Sequence, residues 1–68
     1  MTSAQRREFV GAARELVNEA IARLDAATGD VAAAVGVEHD AAKAVTEALR
    51  ATRIAGAKIE LLIKRIPS

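Results

Sequence analysis

TGDVAAAVGVEHD, residues 28–40, is the stretch on which the fold turns. It holds two of the four glycines and three of the nine acids, and it separates two long arms whose apolar residues recur every three or four positions. A single bend folds the arms back as a helical hairpin. Two bends, at Gly29 and again at Gly36, make a helix-turn-helix over about residues 30–50, with Val31, Ala32, Val35 and Val45 facing inward. No bend leaves one rod, in which Gly29 and Gly36 each cost roughly 1 kcal/mol as interior helix residues.

The arms themselves read as helices. Thr2 with Gln5 fits a capping box, hydroxyl to amide and amide back to side chain. Beyond it Phe9, Val10, Ala13, Leu16, Val17, Ala20, Ile21, Leu24 and Ala27 form one face, with Glu15, Asn18, Glu19, Ala22 and Asp25 on the other. Glu19 and Arg23 are spaced for a favourable i,i+4 pair. The second arm carries Ala41, Val45, Ala48, Leu49, Thr52, Ala55, Ile59, Leu62, Ile63 and Ile66 along a stripe, with Asp40 expected as its N-cap and Pro67 as its end. The expected organisation is a single helical domain over residues 1–68: helix about 3–35, bend about 36–39, helix about 40–66.

One heptad phase runs through both arms. Positions a are Val10, Val17, Leu24, Val31, Glu38, Val45, Thr52, Ile59 and Ile66; seven of the eight d positions, from Ala13 to Ala55, are alanine, and the eighth is Leu62. Folded about Gly36, large a residues meet small d residues: Val17 against Ala55, Leu24 against Ala48, Val31 against Ala41. Such alternation fills a helix–helix interface without voids. The expected fold is therefore all-α, an antiparallel two-helix hairpin with an alanine-rich coiled-coil seam. Gly36 is expected to end the first helix at positive φ, with Val37 closing the cap.

Composition restricts what such a chain does. Without cysteine there are no disulfides, thiolate metal sites or cysteine nucleophiles, and a single histidine makes a poor zinc site. Phe9 is the only aromatic residue, too few for base-stacking platforms. The net charge of +1 provides no polyanion-binding field. Its distribution is uneven: residues 25–47 hold five acids against Lys43, whereas residues 50–68 hold five bases against Glu60. A recognition helix opening with Glu38, His39 and Asp40 would bring negative charge to DNA phosphates. No run of about 18 apolar residues is present to span a membrane, and the N-terminus lacks an apolar secretory core, so a cytoplasmic setting is expected.

The remaining candidates for chemistry are sparse. His39 lies between two acids at the bend, Glu15 and Glu19 form an i,i+4 carboxylate pair, and Ser3 and Ser68 are terminal; none makes a catalytic or metal constellation. The expectation is a protein without enzymatic activity or cofactor. The informative feature is apolar surplus. Ile54 and Leu61 point away from the main stripe of their helix, and Phe9, Leu16, Ile21, Leu49 and Ile63 flank the heptad seam. A chain this short usually needs a partner to complete its core. These seven residues are therefore the expected interface of a homo-oligomer, a four-helix bundle or larger, or with a helical protein partner. The expected function is an interaction or assembly module such as a small chaperone, adaptor or structural subunit. Two alternatives are a DNA-binding regulator built on the central helix-turn-helix, and a cationic amphipathic C-terminal helix lying on a membrane surface.

Overall fold

A computed structural model describes residues 1–67. Among them the chain forms two α-helices and no strand: α1 (Ser3–Val35) and α2 (Asp40–Arg65), packed against each other as a hairpin. The 33 residues of α1, at 1.5 Å rise each, run about 50 Å. The whole molecule measures 48 × 14 × 14 Å, so α1 spans its full length.

Both ends of α1 are closed by the residues present there. The Thr2 hydroxyl accepts from the Gln5 amide at 3.1 Å, and the Gln5 side-chain oxygen accepts from the Thr2 amide at 2.9 Å, completing the capping box. Gly36 is the C-cap, its amide donating to the Ala32 carbonyl at 2.8 Å, with φ 87° and ψ 157°. The positive φ is as expected; the ψ is not that of a left-handed helical cap. It lies in the extended mirror region that essentially only glycine enters. Val37 consequently points into solvent and does not close the cap.

The helix runs unbroken through Gly29 and Asp30, so the helix-turn-helix does not form, and its end at Gly36 excludes the single rod. Breaking α1 at Gly29 would lift Val31 and Ala32 off the hairpin seam, where both are half-buried. The chain reverses instead over Gly36 to His39, whose amide donates to the Gly36 carbonyl at 3.4 Å. His39, not Asp40, caps α2: its Nδ1 accepts from the Ala41 amide at 3.0 Å. Asp40 falls in the first turn, where its charge still favours the helix N-terminus. Ile66 leaves helical angles before Pro67, ending α2 at Arg65.

The seam departs from the heptad expectation by one position. On α2 the residues turned inward are Ala42, Val45, Leu49, Thr52, Gly56, Ile59, Ile63 and Ile66, which are positions a and e. The d residues Ala41, Ala48, Ala55 and Leu62 are exposed. On α1 the a and e residues Val10, Val17, Ile21, Leu24, Thr28 and Val31 are half-buried, and so, as expected, are the d residues Ala13, Ala20 and Ala27; the one-position shift is confined to α2. Gly56, rather than Ala55, lies against Val17 and Ile21: a Cβ there would sit 3.6 Å and 3.5 Å from their methyl groups. The reason is area. Turning e inward buries Leu49 and Ile63, each worth on the order of 1.5–3 kcal/mol, where d would bury Ala48 and Leu62. The alanine-rich seam is thus corrected to a small–large alternation of Ala42, Leu49, Gly56 and Ile63. Threonines within the helices are satisfied locally, Thr28, Thr46 and Thr52 each donating to the carbonyl four residues earlier.

Candidate functional site

The rotation of the seam determines what is left outside. An antiparallel helix pair has an approximate two-fold axis normal to its plane, which keeps equivalent heptad positions on the same side. With a and e inward on α2, and a inward on α1 between half-buried d and e, positions b and f come out on one broad face and g, with d of α2, on the other.

The b/f face is charged and already crosslinked. Arg14 reaches over from the edge of the seam to Glu60 at 3.6 Å, and Arg53 meets Asp25 at 3.7 Å. At the open end Arg7 donates to the Pro67 carbonyl. These partners place the fold-back between Val37 and His39, slightly beyond Gly36. All are solvent-exposed, so each ion pair contributes at most about 1 kcal/mol and serves mainly to hold register. A shallow depression lined by Ala4, Arg7, Glu8, Gly11, Arg14 and Ile63 opens on this side.

The d/g face has the opposite character. Phe9 and Leu16 project from α1 at 66% exposure and Leu62 from α2 at 46%, all toward the open end of the hairpin. Toward the bend the same face is mostly alanine, Ala34, Ala41, Ala44 and Ala48 being exposed, with Asp30 and Val37 beside them; Arg23, Lys58 and Arg65 are its other charged positions. Between them an open groove lined by Leu16, Glu19, Ala20, Arg23, Leu24 and Ala27 follows α1. Ile54 and Leu61, each 52% exposed, stand on the outer edge of α2 beside this face.

The seven residues expected at an interface divide accordingly. Phe9, Leu16, Ile54 and Leu61 are exposed. Leu49, at 7% exposure, and the half-buried Ile21 and Ile63 are taken into the hairpin's own seam and are not free flanks. Reading the seam as a and d made Leu62 a core residue, so it was missed as a surface one; the adjacent pair Leu61–Leu62 on the stripe's edge was the only signal. Ile59, Ile63 and Ile66 of the cationic C-terminal segment likewise turn toward α1. Among the described residues no helix is long and apolar enough to cross a membrane.

The polar candidates remain separate. His39 is engaged as a helix cap, and Lys43 pairs with Glu38 at 3.6 Å beside it. No group of three metal-ligating side chains occurs among the described residues. Glu15 and Glu19 lie on the exposed outside of α1, and Ser68 lies outside the described residues. The i,i+4 partners Glu19 and Arg23 do not come within ion-pairing distance, in contrast to Arg50 and Glu47 at 3.2 Å. Compared with protein-family models, with curated proteins and with solved structures, the chain matches none.

Proposed function

We propose that this chain is a non-enzymatic helical assembly module whose apolar d/g face is covered by further helices, in the first instance those of its own copies. The observation that carries the reading is the deficit of burial. Among the described residues only Ala42, Leu49 and Ile66 are buried, while the molecule exposes 5005 Å². A compact monomer of its 7.1 kDa mass exposes about 4,100 Å². The excess, on the order of 900 Å², is close to the roughly 800 Å² that each partner contributes to a standard protein interface. A helical protein of another kind could occupy the same face, making the chain an adaptor or small chaperone. The cytoplasmic setting rests on the sequence alone.

Sedimentation equilibrium tests the proposal directly. The chain should sediment as a dimer or larger species at tens of micromolar, and its melting temperature should rise with protein concentration. A monomer at high micromolar concentration, melting independently of concentration, would refute self-association. The DNA-binding alternative loses the broken helix it requires, and its distinguishing behaviour would be salt-dependent retention on DNA.

A further inference from the structure

We propose that the d/g face is closed by a second copy lying antiparallel to the first, bend against open end, about a two-fold axis passing near Ala20. The proposal deepens the self-association reading and rests on it.

Three features fix the orientation. The first is shape. Bulky residues crowd one end of the face and alanines the other, so an antiparallel partner sets Phe9 and Leu62 of each copy level with Ala34, Ala44 and Ala48 of the other. A parallel partner would set bulk on bulk at one end and leave a gap between alanines at the other, which close packing disfavours. The second is charge. The bend carries Asp30, Glu38 and Asp40 against Lys43, and the open end carries Arg6, Arg7, Lys64 and Arg65 against Glu8. Antiparallel stacking joins opposite ends; parallel stacking joins like with like, and like charges in apposition select against a pairing.

The third is the groove of α1. It is centred near Ala20, close to the midpoint of α1 (Ser3–Val35), and is raised by Leu16 at one end and floored by Ala20 and Ala27 beyond it. A two-fold through Ala20 makes it self-complementary, Leu16 of one copy entering the part around Leu24 and Ala27 of the other, as an isologous interface requires. Its rim residues Glu19 and Arg23, among the described residues, have no ion-pair partner within the hairpin. Across the axis, Glu19 of each copy faces the Arg23 of the other.

A nitroxide on Val37→Cys reads the arrangement, since Val37 is exposed at the tip of the bend and the chain has no other cysteine. Electron–electron dipolar spectroscopy on the full chain should give a label separation near the 48 Å length of the hairpin. A dimer with a separation under about half that length overturns the antiparallel arrangement and leaves self-association standing. A species that sediments as a monomer and shows no dipolar coupling overturns both. The face is tested separately with Leu16→Asp, which should raise the dissociation constant at least about tenfold, helicity being retained at protein concentrations above it. Ala22→Asp, on the opposite side of α1, should leave it unchanged. Equal effects of the two substitutions would remove the d/g face from the interface.

Discussion

At Gly36 one backbone angle decides where the chain turns. Its φ of 87° with ψ of 157° is forbidding to any side chain, although a Cβ there would meet no atom within 4 Å. The penalty of Gly36→Ala is therefore purely conformational, about 1–3 kcal/mol. Gly29 is the natural control: it lies inside α1, and a Cβ there is also unobstructed. Gly29→Ala should stabilise by about 0.5–1 kcal/mol, because alanine loses less backbone freedom in a helix. For a domain of this size the two substitutions should move the melting temperature in opposite directions by several degrees. A shift of the same sign in both would mean that the turn lies elsewhere. Nearby, His39 does for α2 what Thr2 does for α1. His39→Ala should lower stability by about 0.5–1 kcal/mol through loss of the acceptor for the Ala41 amide, and His39→Asn should recover it. Thermal melts of the pair check this, and equal losses in both variants would count against a capping role.

For the helices the question is which stripe faces which. Gly56 sits where α2 crosses Val17 and Ile21, leaving space for a methyl group at ordinary contact distance and for no more. Gly56→Ala should be neutral to stabilising by up to about 1 kcal/mol, from helix propensity. Gly56→Leu should overpack and destabilise by about 1–3 kcal/mol. Ala48→Leu, one position off the seam and exposed, should cost little in the isolated hairpin. An a/d seam predicts the reverse order for Ala48 and Gly56, so chemical denaturation of these variants, at protein concentrations low enough that Ala48 is not covered by a second copy, separates the two packings. α1 is less deeply packed than α2: none of its residues is fully buried, whereas α2 buries Ala42 and Leu49. Long helices in water take most of their stability from packing rather than propensity.

On the proposed reading, the whole molecule is one half of a helical bundle. A core of three buried residues among those described is thin against the conformational entropy of ordering the chain, so folding and association should be coupled. Each of Phe9, Leu16 and Leu62 removed from water adds on the order of 1.5–3 kcal/mol, comparable with the total stability of a small domain. Moderate salt should weaken assembly by screening the acidic bend from the basic open end, while the apolar contribution persists. A dissociation constant measured by sedimentation between 50 and 500 mM salt should therefore rise, but by a limited factor. A fall across that range would show that apposed charges oppose assembly.

Much of the fold was legible in residue order because it depends on local chemistry. The Thr2–Gln5 box, the positive φ at Gly36 and the stop before Pro67 each follow from a few adjacent residues, and the 3.6-residue period of the arms declares two helices. The rotation of those helices about their own axes does not follow in the same way. Periodicity marks a stripe some three positions wide, and a, d and e of α2 all lie within it. Choosing a and e required summing burial over both helices at once, which placed Leu49 inside and Leu62 outside. That single rotation, a tertiary decision driven by the area of the larger side chains, also determined which face of the hairpin remains uncovered.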